Sequence, residues 1–160
     1  MIEGTVSAIN VSDGGLPKRP RESAAISIGG VQGDRQRDLR HHGGPDRAVV
    51  LYSLELIRAL QAEGHPIAPG TTGENLTLSG VDWASLRPGV RLEINDVVLE
   101  ITKPASPCRN LAGSFREGDF SRLSEKAHPG WSRLCARVLR EGTVRVGDRV
   151  IPPAAGSAAR

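Results

Sequence analysis

The sequence predicts a mainly β fold, a β-barrel carrying a few short α-helices. Three observations predict it. Apolar runs of roughly four to eight residues recur along the chain, several with the alternation of a half-buried strand. Nineteen glycines and eleven prolines in 160 residues separate these runs with turns. One stretch shows the paired alternation of a hairpin without ambiguity, at residues 90–102. Many short strands joined by Gly-rich turns argue for a barrel rather than alternating α/β units.

The elements follow in order. Residues 2–11 read as an opening strand, and residues 12–20 (SDGGLPKRP) as a loop with turn chemistry throughout. Residues 24–28 (AAISI) alternate and predict a strand. Residues 48–52 (AVVLY) are continuously apolar, consistent with a buried strand. Ser53 is placed to cap a helix over residues 54–63 through its hydroxyl. Leu56, Ala59, Leu60 and Glu63 share one helical face, and Gly64 supplies the stop. Val90, Leu92 and Ile94, then Val97, Leu99 and Ile101, alternate on either side of Asn95-Asp96, a two-residue hairpin turn. A second hairpin is expected over residues 135–150, turning at Glu141-Gly142. Residues 114–128 are polar and partly helical in expectation. Residues 1–151 are expected to form a single domain, and residues 152–160, which lack core residues, a mobile tail.

Composition narrows the function. Lys and Arg number 21 against 18 Asp and Glu, a net charge of +3 and a pI of about 9.3. That balance does not by itself imply nucleic acid. Two Trp, one Tyr and two Phe are too few for a base-stacking platform. No G-x-G-x-x-G or G-x-x-x-x-G-K-[ST] occurs, so those nucleotide-binding folds have no support. The start of the sequence has no apolar signal core, and no stretch approaches the ~20 apolar residues of a membrane helix. The expectation is a cytoplasmic protein with two reduced thiols.

Those two thiols differ in setting. Cys108 follows Lys103-Pro104-Ala105-Ser106-Pro107 and precedes Arg109, an irregular stretch in which proline opposes helix. Lys103 and Arg109 flank the sulfur, and nearby positive charge favours thiolate. Such a thiolate is a soft metal ligand or a nucleophile; the bland alternative is a small buried hydrophobe. Cys135 lies in an apolar-rich run and reads as core. Two cysteines 27 positions apart fit no zinc pattern, and the sequence alone does not establish a disulfide.

Positive charge clusters at residues 33–47 (GDRQRDLRHHGGPDR). Charge runs are usually solvated surface. Here Asp34, Asp38 and Asp46 are placed to fix the arginines by paired hydrogen bonds. The Gly43-Gly44-Pro45 turn lets backbone N–H groups approach a ligand. Fixed guanidinium forks suit an anion such as phosphate. Adjacent His41 and His42 point to opposite faces of an extended chain, so the pair alone is a weak metal signal.

These residues together resemble the MOSC family, the domain at the C-terminus of molybdenum cofactor sulfurases, and within it the small stand-alone bacterial proteins of the YiiM type. The likeness runs from Gly14-Gly15-Leu16-Pro17-Lys18 to Gly147-Asp148. It is carried by Gly33-Asp34-Arg35, His41-His42-Gly43-Gly44-Pro45-Asp46-Arg47, Gly73-Glu74-Asn75-Leu76, Pro107-Cys108 and Gly130-Trp131.

The resemblance implies a MOSC-type β-barrel that binds molybdenum cofactor, with molybdopterin as the pterin and Cys108 as the metal-ligand thiolate. Arg35, Arg40, His42, Gly43, Gly44, Asp46, Arg47, Asn75, Lys103 and Arg109 would line the cofactor cleft. The implied activity is reduction of N-hydroxylated compounds, with Glu74 or His41 as the proton donor. The alternative for Glu74 is an ordinary surface carboxylate. Asp34 and Asp46 are expected to orient arginines. The residues hold no flavin, haem or iron–sulfur motif, so electrons would come from a separate redox protein. The competing reading is a sulfur or cofactor carrier with a persulfide on Cys108, served by a separate sulfur donor.

Overall fold

The computed structural model of the chain describes residues 4–34 and 44–151. Arg35, Arg40, His41, His42 and Gly43, and the tail at 152–160, lie outside the described residues. In chain order the regular elements are β1 (Gly4–Val11), β2 (Arg19–Arg21), β3 (Ser23–Ser27), β4 (Gly30–Val31), β5 (Val49–Ser53), α1 (Leu54–Ala62), β6 (Leu76–Ser79), β7 (Arg91–Ile94), β8 (Val97–Pro104), β9 (Leu134–Arg140), β10 (Gly142–Arg145) and β11 (Arg149–Val150). Short 3-10 turns supply the remaining helix. The fold is mainly β, as expected.

The large sheet runs in the order β11-β1-β6-β5-β9-β8-β7, with β2 paired to β1 beside it. A small sheet runs β10-β3-β4. No sheet closes into a barrel among the described residues. The outer strands of the large sheet meet only at one bridge, where Glu93 and Ile151 exchange backbone hydrogen bonds at 3.0 and 2.8 Å. β5 and β6 pair in parallel, and α1 forms part of the crossover that such a pair requires.

The β7–β8 hairpin matches its pattern. Leu92, Ile94, Val97, Leu99 and Ile101 are buried, and Asn95 takes a φ of 54° at the turn. Asn tolerates this left-handed conformation better than most residues do. α1 begins as predicted: the Ser53 hydroxyl accepts the Leu56 N–H at 3.2 Å. Its buried face carries Ile57 and Leu60 rather than the full predicted stripe, and Glu63 is the C-cap.

The expected hairpin over residues 135–150 does not form. β9 pairs with β5 and β8 in the large sheet, whereas β10 pairs with β3 in the small one. A two-residue hairpin turn needs positive φ at its centre, and neither Glu141 nor Gly142 has it. The chain therefore stays extended and changes sheets. Glu141 fixes the crossing by accepting the Ile28 N–H at 2.8 Å. The loop at 12–20 also differs from expectation, because its end becomes β2.

Two apolar clusters result. The larger fills the space bounded by both sheets and includes Val6, Ile9, Leu51, Leu78, Leu92, Leu99 and Val144. The smaller joins Tyr52, Ile57, Leu60 and Ile67 to Leu111, Phe115 and Leu123 of the 3-10 region. It anchors the segment that follows Cys108. No helix of the described residues is long and apolar enough to cross a membrane.

Candidate functional site

β8 ends at Pro104, and the chain leaves the sheet under restraint. The Ala105 N–H donates to the Arg133 carbonyl at 2.8 Å. Pro107 then removes a donor, and Cys108 sits extended (φ −140°, ψ 173°) as the N-cap of a 3-10 helix, Arg109–Ser114. The Cys108 carbonyl accepts the Leu111 N–H at 3.0 Å, and Leu111 is buried in the smaller cluster. Cys108 is half-buried and free; Cys135 is buried and free. Burial pushes the Cys135 thiol pKa up, against the opposing charges of Arg133, Arg47 and Lys103. Cys135 therefore fits the core role read from its apolar surroundings.

That same electrostatic setting locates the positive charge. Arg47 at the entry to β5, Lys103 at the end of β8 and Arg133 at the entry to β9 all act on one buried sulfur. Lys103 pairs in register with Cys135 and Pro104 with Leu134, which sets Lys103 beside the entry to β9, whereas β5 runs antiparallel to β9 and Arg47 enters from the other end of that pair. Arg109 is exposed beside Cys108. Lys103 thus lies beside the entry to β9, at the end of β8 from which the Cys108 loop departs.

Arg133 was not among the predicted residues. It is only 8% exposed. Its Nη1 donates to the Thr72 carbonyl at 2.8 Å and its Nη2 to the Ser106 carbonyl at 3.2 Å. It ties the Cys108 loop to the segment carrying Glu74 and Asn75. The available signal was that it is one of two cations, with Arg137, inside the apolar run at 131–139.

Glu74 is not a surface carboxylate. It is fully buried, with Oε1 accepting the Thr72 hydroxyl at 2.9 Å. Its Oε2 accepts the Gly70 N–H and the Thr77 hydroxyl, each at 3.1 Å. Burial raises its pKa, and these donors oppose the rise. Glu74 organises the turn at 70–75 from beneath.

Asn75 is also buried and works on the other side of that turn. Its Nδ2 donates to Asp34 Oδ2 at 2.9 Å and to the Asn10 carbonyl at 3.3 Å. Asp34 was expected to orient arginines; among the described residues its Oδ2 pairs with Lys18 at 2.7 Å, and its Oδ1 accepts the Ser12 N–H at 2.9 Å. Both side chains of the Lys18–Asp34 pair are less than a tenth exposed. Sequence reading missed Lys18 as a partner because nothing local shows that residues 18 and 34 meet. Asp34 is thus fixed from three sides at the residue immediately before Arg35.

On the far side of that segment, Gly44 has a φ of 97° and precedes a 3-10 turn, Pro45–Arg47. Asp46 does hold an arginine, but a distant one: its Oδ1 pairs with Arg137 of β9 at 2.9 Å. Its carbonyl accepts the Thr102 hydroxyl at 2.6 Å. Both ends of the basic segment are therefore pinned to the sheet. Trp131 packs against the smaller cluster, with the Arg122 guanidinium 4.2 Å from its ring centroid.

Among the described residues, no group of three or more His, Cys, Asp or Glu side chains is arranged to hold a metal ion. A metal at Cys108 would need most of its ligands from elsewhere.

A family model described as the MOSC domain matches residues 38–151. The chain is 33% identical over 135 residues to the uncharacterized protein YflK of Bacillus subtilis (strain 168), covering 83% of this chain and 60% of YflK. It is 30% identical over 130 residues to a protein of Gibberella moniliformis (strain M3125 / FGSC 7600) named reductase, covering 78% of this chain and 22% of that protein. The chain thus spans about three-fifths of the length of YflK. The crystal structure of YiiM from Geobacillus stearothermophilus superposes with a TM-score of 0.75 at 22% identity, covering 98% of this chain and 79% of that one. That likeness concerns the fold.

Proposed function

The chain belongs to the MOSC domain family, and from that premise we propose that it binds molybdenum cofactor through Cys108 and reduces N-hydroxylated compounds. The observation that carries this reading is the setting of Cys108. It is a half-buried free thiol on a restrained loop that leaves β8 just after Lys103 and is tied to Arg133 through Ala105 and Ser106. A soft thiolate suits a thiophilic metal whose other ligands come from a dithiolene.

When bound, the cofactor supplies the two-electron metal chemistry needed to remove oxygen from an N–O bond. The chain's own residues bind and orient it. Arg47, Lys103 and Arg109, with Arg35, Arg40 and His42, hold the anionic pterin side. Gly43 and Gly44 let backbone N–H groups come close, and Asp46 pins that turn to β9. Asn75 acts through Asp34, fixing the start of the basic segment. The proton for the departing oxygen comes from His41 rather than Glu74, whose oxygens are already engaged beneath the turn. Electrons come from a separate redox protein, since two cysteines cannot ligate a cluster. We place the protein in the cytoplasm.

The test is molybdenum content and N-hydroxylamine reduction in wild type and Cys108→Ser, both made in a cofactor-competent host. The expected result is about one molybdenum per chain in wild type, and loss of metal and activity in a folded variant. Full activity of Cys108→Ser overturns the reading. The exposure of the same thiol favours one second reading, a sulfur or cofactor carrier. A persulfide trapped on Cys108, with no reductase activity under any donor, would select it.

A further inference from the structure

Buried charges are normally paired with opposite charge. Arg133 is not, among the described residues. Its two hydrogen-bond partners there are neutral carbonyls, those of Thr72 and Ser106. Its Nε is buried with no partner at all. The leading charged neighbour is Glu74, but that carboxylate accepts from Gly70, Thr72 and Thr77 rather than from the guanidinium. The other groups in its field are Cys135, Cys108 and Tyr52. Cys135 is buried, and the fully buried Tyr52 donates its hydroxyl proton to the Trp131 carbonyl at 2.7 Å. Only Cys108 is open to solvent. Compensating negative charge from outside therefore has one approach.

We propose that Arg133 is a positioning residue of the Cys108 site that makes the site select anionic groups. It clamps residues 105–108 against residues 72–75, and its guanidinium, bonded only to neutral carbonyls among the described residues, keeps positive charge beside whatever meets the sulfur. The proposal rests on Cys108 being the functional residue, and it adds the charge of the group that Cys108 receives. Arginine stays protonated even when burial weakens its hold on the proton, so the field is permanent.

The experiment compares alkylation of Cys108 in the full-length protein by iodoacetate, an anion, and by iodoacetamide, its neutral analogue. Peptide mapping separates Cys108 from Cys135. Both reagents attack the same thiolate, so their rate ratio cancels the thiolate fraction and reports local charge. Relative to N-acetylcysteine, the wild-type ratio is expected to favour iodoacetate by roughly fivefold or more. Arg133→Met should return it most of the way to the free-thiol value, although Lys103 and Arg109 remain. Arg133→Lys, which keeps the charge, should restore a clear preference. A wild-type ratio equal to that of N-acetylcysteine, or one unchanged in folded Arg133→Met, overturns the proposal. If Arg133→Met does not fold, salt decides. In about 1 M salt the Debye length is about 3 Å, which screens exposed Arg109 and half-buried Lys103 more than a buried guanidinium. A preference that persists supports Arg133 as its source, and one that vanishes overturns it. Molybdenum content measured on the same preparations separates the two readings. A raised ratio without metal removes the cofactor reading alone, and a flat ratio with metal removes only this inference.

Discussion

Asn75 clasps Val50 from both sides. The Asn75 N–H donates to the Val50 carbonyl at 2.7 Å, and the Val50 N–H donates to Asn75 Oδ1 at 2.9 Å. A side chain thus replaces one half of a ladder rung just before β6 begins. The other half of the amide, Nδ2, is left to face Asp34. One residue therefore joins the start of the parallel β5–β6 pair to the base of the basic segment.

This double duty makes Asn75 sensitive to both shape and charge. Asn75→Ala strands the Val50 N–H and removes a donor from Asp34, costing about 2 kcal/mol or more. Asn75→Asp keeps the acceptor for Val50 but sets a carboxylate oxygen against Asp34. It should be less stable than the alanine variant at neutral pH. Urea unfolding of the two variants checks the order, and equal stability of Asn75→Asp and wild type would refute the Asn75–Asp34 contact.

The Lys18–Asp34 pair should show strong coupling. Removing one member of a buried pair leaves the other charge without compensation, a loss of about 3–5 kcal/mol. Lys18→Met alone should fall in that range. Adding Asp34→Asn keeps acceptor oxygen for Ser12 and removes the stranded charge, so the double variant should recover part of the loss. A double-mutant cycle with coupling below about 0.5 kcal/mol, the limit of simple additivity, would show the pair to be energetically idle.

Gly70 is where the turn at 70–75 meets Lys18. It has a φ of +86°, and a Cβ there would lie 2.6 Å from the Lys18 carbonyl oxygen. Its own carbonyl accepts the Lys18 N–H at 2.9 Å, and its N–H serves Glu74. Gly70→Ala should cost about 1–3 kcal/mol from the backbone conformation alone, with more from the clash. Hydrogen exchange should quicken at residue 18 and at residues 70–75 together. A change confined to residue 70 would mean the turn absorbs the methyl without moving Lys18.

Local patterns were legible and long-range pairings were not. The β7–β8 hairpin could be read because alternation and the Asn95-Asp96 turn lie within one short window. The Ser53 cap was legible for the same reason. The strand that passes from β9 to β10 carries the same alternation, but pairing partner is not a local property, so a sheet change looked like a hairpin. The burial of Glu74, offered by the sequence as a proton donor or a surface carboxylate, was not legible because its three donors are invisible until Gly70, Thr72 and Thr77 fold around it. Lys18 and Arg133 escaped notice because each is defined by residues at least sixteen positions away in sequence, Asp34 for one and Thr72 and Ser106 for the other. The irregular, partly open setting of Cys108 was legible, since Pro107 and the charged neighbours that predict it are adjacent in sequence.

Glu74 gives the stability of the fold a pH dependence with a definite sign. Burial raises its pKa above the ordinary 4.5, and the hydrogen bonds from Gly70, Thr72 and Thr77 only partly offset that. The folded state therefore holds this proton more tightly than the unfolded chain, and protonation favours folding. The contribution is complete below the unfolded value near 4.5 and is lost as pH rises through the folded pKa. Above that, wild type carries a buried carboxylate. Glu74→Gln cannot ionise, and its amide can still accept from Gly70 and Thr77 while donating to the Thr72 hydroxyl. The stability of Glu74→Gln relative to wild type should therefore rise with pH from about 4.5 upward, at no more than about 1.4 kcal/mol per pH unit, then level off. Urea unfolding of both proteins across the pH range measures this difference directly. Parallel curves would mean that Glu74 is not desolvated in solution, and the turn at 70–75 would then be more open than its hydrogen bonds describe.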